Sequence, residues 1–459
     1  MFHPTFSSPP LDVSMPLAAD VNARDMSPLP CTADARVWSA LARIGRTEDL
    51  HFSPNNQRLA VVGHLKNQLL VLDVDVPALA QGGTIRLIDC LEVRSDALVY
   101  PHGVFWTDDQ TLIVANRQGE APVLHIPRVA PPDRSLHVEP LRMLGTGPLG
   151  AAHTPGSVAA APLGDGWIEV LLCNNYAHTV SQHLLNLEQP ATPDMASVLL
   201  ADGLDIPDGI ALSHDGRWIA VSNHNHHCVF VYPNAATLHP HSRPAGVLHG
   251  VSYPHGLRFT SDDRFILVAD AGEPFVHLYG HGQAGWRGEF QPLQTLRTVD
   301  QARFLRGRHN PQEGGPKGIA IDRSNQVFAT TCHEQPLAFF DLPAVLRPWA
   351  QAASRAPLPS GRTEAEPVGW ARHLLGLNRS RAQLVARHQA EMAGIELALE
   401  EQRRLAQDRL ADIERLQQAL QRQQRHMDAV AQSHSWRITA PLRALAGGLR
   451  RWRGDRPGA

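Results

Sequence analysis

One motif position recurs six times through the chain, as Glu48, His102, Gly156, Asp208, His255 and Lys317, and in all but Gly156 it carries a side chain able to do chemistry. Each except Glu48 is the middle residue of Pro-x-Gly or Pro-x-Ser, and Glu48 holds the matching place in "TEDLHF". Proline and glycine are explained by a turn, because proline sets one backbone angle and glycine permits positive φ. No turn dictates the middle residue. Carboxylates and imidazoles brought together can hold a divalent cation, move protons near neutral pH or hydrogen-bond a polar ligand. A second polar series ends the next apolar run of each repeat: Gly63-His64, Asn116-Arg117, Asn174-Asn175, Asn223-His224, Asp270-Ala271 and Cys332-His333. Asn116, Asn174, Asn175, Asn223, His224, Asp270 and His333 are therefore candidate ligand-binding residues. Asparagine and aspartate at strand ends also satisfy turn backbone, which is the plainer role for any single one of them.

The elements that must position these residues repeat. "YPHGLRFTSDDRFILVADAGEPFVHLY" from Tyr253 resembles "IPDGIALSHDGRWIAVSNHNHHCVFVY" from Ile206 and "YPHGVFWTDDQTLIVANRQGEAPVLHI" from Tyr100. Each reads as strand, turn, strand, with Asp215-Gly216 a hairpin signal between two apolar runs. The motif recurs at Asp49, Gly103, Ser157, Gly209, Gly256 and Gly318, at intervals of 47 to 62 residues by subtraction. That is the length of a four-stranded propeller blade. The predicted fold is an all-β six-bladed β-propeller over residues 35–345, followed by a long α-helical coiled coil. "LAFFDL" leaves the sixth repeat one strand short. "ARVWSALAR", Ala35 to Arg43, is expected to supply that strand through Val37, Trp38 and Leu41 and close the ring. The two polar series then fall on one face of the ring, at the mouth of its channel.

Composition narrows the function classes. A net charge of −3 over 459 residues argues against general nucleic-acid binding. No apolar run is long enough to span a bilayer, and the start lacks the pattern of a secretory signal. Residues 1–34, rich in proline and serine, read as a disordered lead-in. Five scattered cysteines with no C-x-x-C pair suit a reducing cytoplasm. The expected location is therefore cytoplasmic, possible peripheral attachment at the inner membrane being a matter for the tail.

The repeats resemble six-bladed propellers of the NHL and regucalcin/gluconolactonase kind. In those lactonases a Glu, an Asn and an Asp from different blades bind a divalent metal that polarises a lactone carbonyl. Carried onto this chain, the resemblance implies metal ligands Glu48, Asp208 and His255, with His102 or Lys317 as catalytic residues contacting substrate. One divalent ion, zinc or calcium, is the implied cofactor, and the imidazole favours zinc. Two functions stay open: a propeller that binds a ligand or partner, and a metal-dependent lactone hydrolase.

Beyond residue 345 the composition changes. Residues 346–370 read as a Pro/Ala-rich linker, and 371–432 as a coiled-coil helix. Val385, Met392, Leu399, Ala406, Ile413, Leu420 and Met427 recur every seventh residue, which implies self-association. Residues 433–459 form a basic amphipathic tail suited to an anionic membrane surface or a partner-docking face. Ser433, Ser435, Trp436, Arg437, Thr439, Pro441, Leu442 and Arg443 resemble a terminal motif that follows coiled coils in bacterial glycosyltransferases of O-antigen and capsule assembly. That resemblance implies polysaccharide-assembly enzymes as partners and a surface-polysaccharide context.

Six arginines against Asp455 give residues 433–459 a net charge of +5. Basic residues near an anionic surface contribute about 1 kcal/mol each. Truncation after Gln432 should abolish cosedimentation with anionic vesicles at low salt while leaving the propeller folded. An intact protein that ignores such vesicles removes the membrane role and leaves a docking helix.

Overall fold

A computed structural model describes residues 23–79, 83–145, 154–189, 195–310, 312–353, 404, 415–430 and 437–454. The chain divides into two units, Met1–His388 and Gln389–Ala459. The first is a six-bladed β-propeller of six antiparallel-cored sheets taken in chain order. Blade four shows the plan. Pro207–Leu212 lies innermost and pairs with Trp218–Asn223, which pairs with Cys228–Pro233, then Gly246–Leu248. The hairpin between its first two strands turns on Gly216, whose φ is +70°, as its Asp-Gly sequence predicts. Apolar residues on both faces of each blade pack between neighbouring blades. Ile210, Ile219 and Val221 of blade four, for example, meet Ala159, Leu171 and Cys173 of blade three.

Ring closure differs from the sequence expectation. Ala35–Arg43 is an α-helix, not a strand. Asp34 caps it by accepting from the Val37 N–H at 2.8 Å. Val37, Ala40, Leu41 and Ile44 are buried at helical spacing, while Trp38 is exposed. Blade six consequently keeps three strands, Ile319–Ile321, Val327–Cys332 and Gln335–Asp341. A strap upstream of the helix ties the ring from outside. Arg24–Asp25 pairs in parallel with Gln294–Arg297 of blade five. The Leu29 N–H donates to the Phe339 carbonyl of blade six at 2.8 Å. Cys31–Ala33 then pairs in parallel with Ile85–Arg94 of blade one. The lead-in therefore has structure from Arg24 onward; residues 1–22 lie outside the described residues.

The glycine of the motif also plays a different part. Gly103, Gly209, Gly256 and Gly318 have no positive φ. The left-handed residue is instead the one before the proline in three blades: Tyr100 (φ 52°), Thr154 (49°) and Ile206 (52°). Glycine is needed for space. A Cβ on Gly209 would lie 1.9 Å from the carbonyl oxygen of His255 in the next blade.

All five cysteines are free thiols, four of them buried. The expected linker begins as helix, since Leu342–Ala353 is helical with Pro348 inside it; residues 354–370 lie outside the described residues. In the second unit residues 415–430 and Ala440–Gly454 are helical. Leu416, Leu420 and Met427 are exposed on the first of these helices. Most of the heptad-bearing segment, residues 371–403 and 405–414, is outside the described residues. Among the described residues no helix is long and apolar enough to cross a membrane.

Overpacking a closed site costs about 1–3 kcal/mol, and backbone against backbone has little room to relax. Gly209→Ala should therefore destabilise the propeller by at least the upper end of that range. Gly282→Ala, with open space around it, should change the melting temperature little. Equal melting temperatures would show that neighbouring blades do not meet so closely.

Candidate functional site at the channel mouth

The middle residue of the motif reaches the mouth because the innermost strand is irregular there. Its pairing with the second strand shifts register between Thr47 and Leu50, Pro101 and Gly103, Pro155 and Ser157, Pro207 and Ile210, and Pro254 and Leu257. Such a bulge re-aims the side chain beside it. Glu48, His102, Asp208 and His255 are thereby brought together with Lys317, which stands just before Ile319–Ile321 of blade six, each no more than 5% exposed.

Their contacts form one network. Lys317 Nζ lies 3.2 Å from Glu48 Oε2 and 3.0 Å from Glu313 Oε1. Arg46 bonds Glu48 through Nε and reaches Glu313 through Nη2 at 2.8 Å. On the other side Arg117 Nη2 lies 3.3 Å from Asp208 Oδ1 and donates to His102 Nε2 at 3.2 Å. The two halves join through imidazoles. His255 Nε2 is 3.3 Å from Asp208 and 3.8 Å from Glu48, and His102 Nε2 is 3.5 Å from Glu48. The rings of His102 and His255 stack at 5.1 Å. His102 Nδ1–H donates to the Gly156 carbonyl at 2.7 Å, so Nε2 carries the lone pair. Gly156 has no side chain to offer, but Asn175 fills its space and donates to Asp208.

The second polar series separates into two roles. The first residue of each pair turns back to its own loop. Asn116 accepts from the Val99 N–H and donates to the carbonyls of Ala97 and Glu120. Asn223 does the same with Asp205 and Gly203, and Asp270 accepts from Ser252 and Tyr253. Asn174 donates to Thr179 and Ser181. The second residue of the pair faces the mouth. Asn175 and Arg117 contact Asp208 directly, and His224 Nδ1 lies 3.9 Å from it. His333 sits at the rim against His309, ring centres 4.5 Å apart.

Arg46, Arg117 and Glu313 complete the site although sequence reasoning did not select them. Arg117 occupies the same pair position as Asn175 and His224, so the repeat register points to it. Glu313 comes from the blade-six insertion, which no other repeat shares.

Burial opposes ionisation throughout the ring, yet its acids stay charged. Against burial, Lys317, the histidines and Arg46 hold the Glu48 carboxyl well below its usual range. Asp208 is held low against burial by His255, Arg117, His102 and His224. Burial pushes His255 down to about 4, against the pull of Asp208. Burial and then Arg117 push His102 well below its ordinary value. Both imidazoles are neutral at pH 7 and aid the acids only once protonated, so at pH 7 the lysine and arginines carry the compensation. Three acids (Glu48, Asp208, Glu313) thus meet three bases (Arg46, Arg117, Lys317).

The ligand atoms of Glu48, His102 and His255 lie within 4.8 Å of one another. Their donor types suit a transition ion. Asp208, the third ligand implied by resemblance, is instead taken up by Arg117 and Asn175. Lys317 already supplies positive charge between the oxygens of Glu48, at 3.2 and 3.3 Å. The donors therefore fit a metal and the charge balance does not.

Comparison with known proteins reaches the fold and little further. The family described as the lipoprotein LpqB beta-propeller domain (Gmad1) matches residues 18–171, to which this part of the chain is similar. No curated protein sequence matches the chain. A functionally unknown protein from Desulfotomaculum acetoxidans DSM 771 is similar at 12% identity and TM-score 0.42, covering 64% of this chain and 82% of that one. The WD40 repeats of RRP9 are similar at 9% identity and TM-score 0.40, covering 64% and 79%.

Protonation gives a test of the ring. His255 titrates near 4 folded and near 6.5 unfolded, so the unfolded chain binds the extra proton between those values. Its contribution is complete above pH 6.5 and is lost as pH falls toward 4, by on the order of 3 kcal/mol. Glu48 and Asp208, held low, lose theirs only as pH falls further, through their folded values. Chemical denaturation from pH 7 to 4.5 should show falling stability, with a shallower slope in His255→Asn. An unchanged slope would mean His255 is not buried as a neutral ring.

Proposed function

We propose that the propeller is a binding module whose channel mouth takes a small polar ligand of the sugar class, in a surface-polysaccharide assembly system. One observation carries this reading. Buried around the mouth, Asn175 Oδ1 accepts no hydrogen bond, and Arg117 Nη1 and His64 Nδ1 have no hydrogen-bond partner. Buried polar atoms are normally satisfied, so a cluster of unsatisfied ones calls for a ligand or water with both donors and acceptors. Hydroxyl groups provide both. Tyr100 and Tyr176 stand exposed nearby, Tyr100 beside His64 and Tyr176 over the Arg117 guanidinium at 5.4 Å. Their flat faces suit the apolar face of a sugar ring, as amphipathic rings do at other interfaces. The Ser-Trp-Arg segment supports the assembly context, and the heptad pattern supports oligomerisation through a coil.

Binding at such a site needs no bond to break. Arg117 would orient the ligand from a position fixed by Asp208, while Lys317 and Arg46 keep Glu48 ionised as an acceptor. An array of O-antigen and capsule oligosaccharides should yield a ligand for the full chain. Tyr176→Ala and Arg117→Met should each weaken it tenfold or more, and Lys66→Ala should not. An array without binders, or binding indifferent to both changes, would overturn the reading.

The second reading is a metal-dependent lactone hydrolase, supported by the closeness of Glu48, His102 and His255. A stoichiometric ion lost in Glu48→Ala together with gluconolactone hydrolysis would replace the binding module with this enzyme.

A further inference from the structure

At the rim, His309, His333 and Glu334 each bring one ligand atom within 4.8 Å of the others. They come from a turn of blade six and from the insertion that leads into that blade. His333 and Glu334 form the turn between Val327–Cys332 and Gln335–Asp341, and His309 lies in the insertion just beyond the helix Gln301–Gly307. We propose that these three side chains form a site for a transition-metal ion of the zinc, cobalt or nickel class, clamping the insertion to blade six.

The geometry is near that of a shared ion. The two imidazole rings stand 4.5 Å apart at 78°. A ring centre lies about 3 Å from a metal bound through nitrogen at its usual distance, so two rings on one ion stand roughly 4.5–5 Å apart. His333 Nε2 is 3.9 Å from Glu334 Oε1, a gap an ion between them would bridge. The other carboxylate oxygen, Oε2, accepts from Arg306 Nε at 3.3 Å. Outer hydrogen bonds of this kind orient a ligating carboxylate. His309 is exposed and the other two are half-buried, so small rotations of the exposed ring complete the set and water can take the open position. Two imidazoles select against calcium and magnesium, which prefer all-oxygen sites.

The clamp has a consequence for the mouth. The same insertion carries Glu313, whose carboxylate binds Lys317 and Arg46. Metal at the rim would hold in place the segment that delivers this carboxylate. The inference rests on neither reading of the ring.

Cobalt(II) titration of the full chain, followed by visible absorption and calorimetry, tests the site. One equivalent should bind at micromolar concentration and be displaced by zinc. His309→Ala, an exposed change with the fold checked by thermal melting, should weaken it tenfold or more. Glu48→Gln should leave it intact. Zinc should also slow tryptic cleavage after Arg306 and Arg308 in the unaltered chain but not in His309→Ala. No micromolar equivalent, or one that survives His309→Ala combined with His333→Ala, overturns the clamp. An ion lost in Glu48→Gln yet kept in His309→Ala assigns the metal to the channel and overturns it as well.

Discussion

Everything at the mouth depends on how closely the innermost strands of neighbouring blades approach. A Cβ on Gly209 would strike the His255 carbonyl, and one on Gly256 would come within 2.7 Å of the Lys317 carbonyl. Backbones at that separation leave no room for a side chain between blades, so the bulged middle residues project toward the axis. Five of the six repeats then deliver polar side chains into contact. A wider ring would separate Asp208 from His255 and Glu48 from Lys317, and no network would form.

That closeness creates an electrostatic problem that the ring solves as a unit. Charges taken out of water are costly unless paired with good geometry and further hydrogen bonds. Here Lys317 and Arg46 offset Glu48 and Glu313, while Arg117 offsets Asp208. Deeper in the channel Arg258 and Asp49, both buried, make a separate pair at 3.3 Å. Polar atoms left over after this pairing are the ones the proposed ligand would meet. Stability and, under the proposed reading, recognition draw on the same side chains, and truncating one charge would leave its partner buried and uncompensated.

Closure of the ring follows a related logic. Blade six lacks a fourth strand, and its outer edge needs cover. The strap from Arg24 to Ala33 crosses blades five, six and one, and the capped helix that follows buries Val37, Ala40 and Leu41. On the inner side the Thr47 hydroxyl donates to the Pro336 carbonyl and that of Thr331 to the Glu48 carbonyl. First and last blades are thus joined at both radii, so the Glu48–Lys317 contact spans the seam of the ring.

The sequence by itself determined the repeat, the number of blades and the motif position that reaches the mouth. Each is a local matter: strand alternation, an Asp-Gly turn, and a motif position freed from turn chemistry. It also carried the signature of the helix at Ala35, in Asp34 and the spacing of Val37, Ala40, Leu41 and Ile44, although strand counting pointed elsewhere. Only the tertiary structure decided which member of each polar pair faces the channel. Asn116 and Arg117 are neighbours, but a strand end presents one to its loop and the next to the channel. Nor did any local rule place Glu313 beside Lys317 and Arg46, or hold Asp208 against Arg117 and Asn175 rather than leave it free for a metal. Those choices depend on charge balance among groups far apart in the chain, and that balance exists only once the blades have closed around a common axis.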